Sequence, residues 1–514
     1  MKKNSTHSSI KNKIHNLESI IELSKKYKKK NKKIVLCHGT FDLLHAGHYR
    51  HFQEAKDFGD FLIVSITADK FINKGPGRPV FNELLRAEMI ASLSYVDFVV
   101  VINEASAITA IDSIKPNIYV KGEDYRNKSN DLTNKIISEE EKVKEYGGLL
   151  KYTSDITFSS TSLINKNFSV FDQSLKDFLS LYKKEGIDYF LSLTDQLKDK
   201  KVLVVGESII DEYIYTETLG KSAKESILAT LKKSNQVFAG GAVAAANHIS
   251  EFCKQIYLVT GIGDENVEDK SFIKNSLAKN IRLCDIELKN IPTTKKTRFI
   301  DNSYLRKMFE VYDMDDSPLT TKIESKVLEK IKKYISHVDI VIIADFGHGF
   351  LTPRIIDYLT NSGIYIGINA QTNSANRGFN LITKYKKANY ICIDEPEFRL
   401  AVHDKNTSIN AILKNKKNLP KANIFAVTSG KGGCHIKSED KIIKIPAFTN
   451  NVVDTLGAGD AFFVISTLYS YLNINPLDIG FIGNAAGALK VNILGHSSHI
   501  KKTHLLKFIE SVIK

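Results

Sequence analysis

Short apolar runs, each followed by a segment of helical period, recur in two separate stretches of the chain and leave few architectures open. In the first stretch the runs are KIVLCHG (Lys33–Gly39), FLIVSIT (Phe61–Thr67), DFVVVI (Asp97–Ile102) and NIYVKG (Asn117–Gly122). Helical patterns at His45–Phe58, Asn82–Leu93 and Ala105–Lys115 separate them. Continuously apolar strands are covered on both faces, and strands alternating with helices at short spacing make a parallel sheet. The pattern resumes at KVLVVGES (Lys201–Ser208) and continues through DIVIIADFG (Asp339–Gly347), YIGINA (Tyr365–Ala370), YICID (Tyr390–Asp394) and IFAVTSG (Ile424–Gly430). Residues 167–200 are helical and charged, without a strand pattern. The sequence therefore predicts an α/β protein with two doubly wound parallel-sheet domains, 31–166 and 201–514. A helical connector, 167–200, joins them, and a basic head, 1–30, precedes them.

A length of 514 residues suits two or three domains. With 43% hydrophobic and 25% charged residues, the composition is that of ordinary globular chains. No apolar run is long enough to cross a bilayer, and the Lys-rich start lacks the apolar stretch of a secretion signal. The five cysteines, Cys37, Cys253, Cys284, Cys392 and Cys434, form no C-x-x-C pair, which argues against a disulfide framework or a zinc knuckle. A cytoplasmic protein is expected. Much of the formal charge of +14 lies in the head and in the run Lys25–Lys33. Such a run can neutralise phosphates, but no aromatic interleaving or recognition module accompanies it. It reads as a solvated lead-in helix, with neither nucleic acid nor membrane as partner.

The segment HGTFDLLHAGH (His38–His48) leads from the end of the first strand through a turn into a helix. Backbone N–H groups and the positive helix end then sit at the C-terminal sheet edge, where α/β folds bind phosphates. His45 and His48 share one side of that helix start, and Gly47 allows close approach. Two imidazoles there can donate to a phosphoryl group as its charge shifts. H-x-x-H alone is more commonly surface decoration or a metal pair; the strand and G-T-F-D turn reverse that balance. Further on, FSSTSLI places Ser159, Ser160, Thr161 and Ser162 at a helix start, which taken alone reads as an ordinary N-cap.

The G-T-F-D-x-L-H-x-G-H pattern resembles the cytidylyltransferase-like nucleotidyltransferases. The resemblance implies a Rossmann-like domain in which His45 and His48 stabilise the α-phosphate transition state. It assigns Gly39, Thr40 and Phe41 to nucleotide phosphate, with Lys74 in the loop after the second strand and Arg86 at the next helix. Ser159 to Ser162 would stand for the family's I-S-T-T/S motif. Members acting on glycerol or choline phosphate carry R-T-E-G before that motif, where this chain has TSDITF without the Arg. VKGEDY (Val120–Tyr125) stands where the branch activating heptose 1-phosphate has V-K-G-G-D-Y. A sugar phosphate acceptor is implied, with Asp42, Lys121 and Asp124 on its side, and CTP versus ATP is left open.

In VVDTLGAGDAFF (Val452–Phe463) two glycines lead into an apolar helix. Gly457, Ala458 and Gly459 let successive N–H groups converge on an anion, and Asp460 beside them can take a hydroxyl proton. The run resembles the D-T-x-G-A-G-D signature of ribokinase-like, PfkB-type carbohydrate kinases. That resemblance, which covers most of the chain from Lys201 onward, makes Asp460 the base and Ala458 and Gly459 the anion hole. It carries over Asp211 in the first strand to substrate hydroxyls, and Gly240, Gly241 and Asn247 of FAGGAVAAANHI to the substrate side. Gly430 in VTSGKGGC falls on the nucleotide side. The metal-associated N-x-x-E motif appears as Asp394 to Glu397, with Asp in place of Asn, a pair suited to orienting hydrated Mg²⁺. NAQTNSANRGFN (Asn369–Asn380) departs from the D-P-N/D-x-R segment of ordinary sugar kinases. By analogy with kinases of this fold that dimerise through a β-lid, a homo-oligomer is expected, with ILATLKK and TRFIDNSYLRKMFEVY as the lid strands.

Bifunctional heptose kinase/adenylyltransferases have the same two modules with the kinase first; here the order is reversed. The resemblance implies an enzyme using ATP and Mg²⁺ to phosphorylate a sugar or sugar phosphate. The 1-phosphate would then react with CTP or ATP to give NDP-sugar and pyrophosphate. The alternatives are a cytidylyltransferase for a polyol or amino-alcohol phosphate with a silent, ligand-sensing kinase domain, a nucleic-acid-binding regulator using the basic head, and metal binding at His45 and His48.

Overall fold

The computed structural model describes residues 10–72, 78–126, 135–154, 173–182, 186–303, 306–415, 418–448 and 452–514. Contacts divide the chain into two units, residues 1–183 with 506–514, and residues 184–505. The division falls inside the predicted connector, whose described residues form helices Gln173–Ser180 and Gly186–Asp195.

Among the described residues, the first unit holds a parallel sheet of β1 (Ile14–His15), β2 (Ile34–Gly39), β3 (Phe61–Thr67), β4 (Phe98–Ile102), β5 (Ile118–Lys121) and β6 (Leu149–Tyr152). Their spatial order is β1-β4-β3-β2-β5-β6. Strand alternation divides the core. Val35, Cys37, Leu62 and Val64 pack with Phe52, Ala87 and Ile90 of helices Ala46–Asp57 and Glu83–Ala91 on one face. Ile34, Leu36 and Ile63 pack with Ile20, Ile111 and Val143 on the other. Each fully buried aliphatic side chain contributes about 1.5–3 kcal/mol, so both faces must be covered. The order reverses between β2 and β5, and such a switch point opens a crevice at the strand ends.

The basic head differs from expectation. Ile14 and His15 pair with Val99 and Val100 as an edge strand, and Ile20 of helix Leu17–Lys28 is fully buried. The lysines Lys25, Lys26 and Lys28 cluster in that helix's last turn, where they complement its negative end. Residues 10–30 thus belong to the first unit, because the helix has an apolar side as well as the charged one the composition revealed.

The second unit is built on β7 (Lys201–Gly206), β8 (Ser208–Lys221), β9 (Leu228–Gly241), β10 (Gln255–Gly263), β11 (Ile281–Leu288), β12 (Lys295–Asp301), β13 (Arg306–Asp313), β14 (Ile340–Asp345), β15 (Tyr365–Ala370), β16 (Lys387–Asp394), β17 (Lys421–Thr428), β18 (Cys434–Ser438) and β19 (Lys441–Ile445). The large sheet runs β11-β10-β7-β14-β15-β16-β17-β18-β19, parallel up to β17 and antiparallel beyond. Helix Ala458–Tyr471 is buried at every position from Ala461 to Ser470, as an apolar helix inside a domain must be. A smaller sheet, β13-β12-β8-β9, contains the segments expected to form a lid. The two expected lid segments do not pair directly: β8 lies between them, bonded antiparallel to β9 and parallel to β12.

Candidate functional sites

At the first site, β2 ends at Gly39, where an added Cβ would meet the Phe41 ring at 2.9 Å, so the turn has room only for glycine. Phe41 takes φ +49° and packs edge-on against His48, with centroids 5.2 Å apart. His45 is the N-cap of helix Ala46–Asp57; its Nδ1 accepts the N–H of Gly47 at 3.1 Å and that of His48 at 3.4 Å. Nδ1 must therefore be unprotonated, which leaves the proton of the neutral ring on Nε2. Burial lowers the His45 pKa, favouring that neutral form.

Two residues assigned to ligands are tied into the protein itself. Arg86 is fully buried and donates to the carbonyls of Phe81 (3.0 Å), Thr40 (2.6 Å) and Thr67 (2.9 Å) and to Asp69. It clamps the G-T-F-D turn onto the end of β3. Asp42 accepts the N–H groups of Val80 (2.6 Å) and Phe81 (3.3 Å) and pairs with Arg78, so it holds the 78–81 loop. Sequence pattern gives the residue type at such positions, while only packing reveals which way a long side chain turns.

Lys121, at the end of β5, lies beside that crevice, paired with buried Glu139 at 3.1 Å. Although burial opposes it, the Lys121 charge keeps the Glu139 pKa low. Glu139 also accepts the Ala107 N–H and the Tyr119 hydroxyl. His38, which pattern reading passed over, lies buried at the end of β2, with Nδ1 2.9 Å from Ser65 Oγ. Burial, then Lys121, lowers its pKa to about 3, so it is neutral. Asp124 lies on a short turn, Glu123–Tyr125, and its side chain is outside the described residues, as are Lys74, Ser159, Ser160, Thr161 and Ser162.

At the second site, Gly457 adopts φ +73° as N-cap of helix Ala458–Tyr471, so Ala458, Gly459 and Asp460 open the helix. The Gln371 side-chain amide donates to Asp460 Oδ1. The recess desolvates the carboxyl and raises its pKa to about 6, opposed by Gln371 and Lys490. Asp211 is buried and paired with Arg298, and His496 Nε2 lies 3.8 Å from its other oxygen. A Cβ on Gly240 would collide with Asp211 Oδ2, and one on Gly457 would meet His496 Cε1 at 2.5 Å. Gly240, Asp211, His496 and Gly457 thus form one contiguous wall. Asp454, the first residue of the signature, accepts from Tyr213 of β8 (2.7 Å) and Lys307 of β13 (2.8 Å), tying the turn to the lid. These contacts hold its carboxyl well below the usual range despite partial burial.

At the second site, too, assigned residues carry structural bonds. Asn247 donates to the Ser276 carbonyl and accepts the Ala278 N–H, so its amide ties two segments together. Asp394 and Glu397 form a capping box: Asp394 accepts the Glu397 N–H at 2.8 Å, and Glu397 accepts those of Asp394 and Thr372. Three residues apart at a helix start, two acids suit a cap as well as they suit an ion. A pocket of about 470 Å³ lies against Asp394 but not Glu397, lined by Asp394, Glu395, Pro396, Arg399, Thr428, Ser429 and Gly430. Gly430 has φ +51° and open space around it, in keeping with a ligand-facing turn.

Gln371, Arg298, His496 and Lys490 carry no recognisable spacing signal. The one clue was a lone lysine in the apolar helix sequence NAAGALKVNI. Among the described residues, no group of three or more His, Cys, Asp or Glu could hold a metal, and no helix is long and apolar enough to cross a membrane.

Residues 36–167 match the cytidylyltransferase-like family model, and residues 199–502 match that of the pfkB family carbohydrate kinases. The chain is 36% identical over 154 residues to the bifunctional protein HldE of Geotalea uraniireducens, covering 30% of each. With the bifunctional protein HldE of Sulfurimonas denitrificans it shares 44% over 118 residues, 23% of this chain and 25% of that one. The match to the first of these relatives thus spans only 30% of its length. The solved structure of phosphofructokinase-2 from Escherichia coli in complex with potassium aligns with TM-score 0.50 and 15% identity, covering 62% of this chain and 100% of that one. At that identity the likeness shows the fold alone. Because its model spans residues 199–502, more than half of the chain, the protein belongs to the pfkB family of carbohydrate kinases.

Proposed function

We propose that the chain is a two-site sugar-activating enzyme. At the second site a hydroxyl of a sugar or sugar phosphate attacks the γ-phosphorus of ATP, ADP leaves, and Asp460 takes the hydroxyl proton. The observation that carries this reading is Asp460 at the mouth of a glycine turn, held by Gln371 and raised to about 6, a basicity suited to accepting a proton near neutrality. The N–H groups opening helix Ala458–Tyr471 would hold the transferring phosphoryl group, and Asp211 would orient the acceptor. At the first site an oxygen of the sugar 1-phosphate attacks the α-phosphorus of CTP or ATP, and pyrophosphate leaves. His45, with its proton on Nε2, and His48 would stabilise the charge that builds on that phosphate.

Mg²⁺ would arrive on the nucleotide phosphates and shield their charge. Asp394 and Glu395 line the 470 Å³ pocket and can orient its water shell, a looser fit than direct ligation because Asp394 also caps a helix. The relatives named as bifunctional support pairing the two activities, and five buried free cysteines support a cytoplasmic setting. Exposed Leu219, Leu228, Leu231, Phe309 and Val311 on the lid support association of lids into a homo-oligomer.

Incubating the protein with Mg²⁺, a panel of sugars and sugar phosphates, and ATP or CTP tests the reading through ADP and pyrophosphate release. ADP with one acceptor and pyrophosphate with its phosphorylated product are expected. Pyrophosphate without ADP across the panel would favour the second reading, a nucleotidyltransferase with a ligand-sensing kinase domain. The Asp394–Glu397 capping box is the feature that favours it, since those carboxylates already bond to backbone N–H groups.

A further inference from the structure

Lys490 is the last residue of helix Pro476–Lys490, and it is completely buried. An ammonium group out of water costs several kcal/mol unless it is fully compensated, and Leu or Met would fill the same space without that cost. Here Nζ donates to two backbone carbonyls, Leu456 at 2.6 Å and Gly495 at 2.7 Å. The two belong to separate segments, one entering the glycine turn and the other preceding His496.

We propose that Lys490 acts as a tethered monovalent cation, whose ammonium group on the carbonyls of Leu456 and Gly495 organises the anion-binding turn of the second site. The proposal rests on the reading of that turn as a site of phosphoryl transfer. Carbonyl oxygens gathered from two turns are the ligands that replace the hydration shell of a monovalent ion. Asp454 closes the arrangement: Oδ1 accepts the Leu456 N–H at 3.2 Å and Oδ2 accepts the Gly495 N–H at 2.9 Å. A carboxylate thus grips, by their amides, the same two residues whose carbonyls hold the cation, and it balances the buried charge.

The geometry also states what the cation does. The Leu456 carbonyl and the Gly457 N–H belong to one planar trans peptide and point in opposite directions. Drawing the carbonyl onto Lys490 turns the Gly457 amide the other way and fixes the peptide that leads into the φ +73° turn. The same logic applies to the Gly495 carbonyl and the N–H of His496, whose ring touches Gly457. The Lys490 charge is also felt at Asp460, where it opposes the burial-driven rise in pKa. Lys490 is a positioning residue on this account, reaching the reacting atoms only through the turn.

The test uses the full chain, wild type and Lys490→Ala, in potassium, ammonium or choline chloride at equal ionic strength, with melting temperature and ADP release as readouts. Wild type should be indifferent to the cation in both. Lys490→Ala in choline should lose turnover by about 10- to 100-fold, the scale of a lost charge-assisted contact. Potassium or ammonium, but not choline, should restore turnover and raise the melting temperature, because an ion bound only by the folded state stabilises it. Lys490→Met, which fills the space with an apolar chain, should be slow in every salt. A specific potassium requirement in wild type, or a Lys490→Ala protein indifferent to the cation in both readouts, would overturn the proposal. If an altered chain does not fold, the wild-type salt exchange alone decides. If wild type transfers phosphate to no acceptor, the kinase reading fails while the melting temperatures still report on the cation site.

Discussion

The imidazole of His45 lies stacked on that of His48, with centroids 3.9 Å apart and planes 19° from parallel. Two positive rings at that spacing would repel strongly, so the arrangement favours a pair that is not doubly charged. His45 accepts two backbone N–H groups through Nδ1, which removes any doubt about its tautomer when neutral. A ring fixed in this way directs its Nε2 proton at one place, which is what a donor to a developing phosphate charge requires.

His48→Ala should lower pyrophosphate release by about 100- to 10,000-fold while ADP release is unchanged. His45→Ala should do the same and also cost about 0.5–2 kcal/mol of stability, because it removes an N-cap. His45→Asn separates the two roles: Asn can cap the helix, so the melting temperature should recover while pyrophosphate release does not. Equal loss of both activities in a folded His48→Ala chain would contradict two independent sites.

Arg86→Ala should lower stability by about 3–5 kcal/mol, the range for breaking a buried charged network. Thermal unfolding followed by circular dichroism checks this. A raised KM for nucleotide with unchanged unfolding would instead return Arg86 to the ligand-binding role that the pattern gave it.

Asp460→Asn should abolish ADP release, by about 1,000-fold or more, and leave pyrophosphate release intact. The pH profile carries a sign. With its pKa raised to about 6, the carboxyl is the proton-accepting carboxylate above that value and the inert acid below it. ADP release should fall as pH drops through about 6. Turnover that stayed flat down to pH 4.5 would remove Asp460 from the role of base.

Gly240→Ala places a methyl group against Asp211, and Gly457→Ala forces φ +73° on a residue with a Cβ while pressing on His496. Each should reduce ADP release at least about tenfold with pyrophosphate release preserved, since a small misplacement of catalytic groups is costly. On the lid, Leu231→Lys should shift the chain to a smaller species in sedimentation, because a charge on an exposed apolar sheet face opposes association.

The strands and both glycine turns were legible because they depend on local chemistry: apolar runs, helix starts, and positions where a Cβ does not fit. The lid was half legible. Two of its segments came by analogy with the fold, but β8 continues the apolar core strand signal of VLVVGESIID into an exposed extension, and nothing in its composition marks where the core ends. Arg86, Asp42 and Asn247 have structural bonds that the pattern did not disclose, for one shared reason. A polar residue next to a motif is an equally good candidate for holding the ligand and for holding the loop that holds the ligand. Lys490 and Gln371 act from segments more than twenty residues from the turn they support, so only tertiary packing discloses them.

Among the described residues, the strands of the first sheet all lie between Ile14 and Tyr152, although residues 506–514 also belong to that unit. Its hydrogen-bonded ladder can therefore close on the ribosome while the larger unit is still being synthesised, since domains made first can fold first. The long, slow parallel sheet of the second unit then forms without unpaired strands of the first exposed beside it, which lowers the risk of cross-pairing during biogenesis.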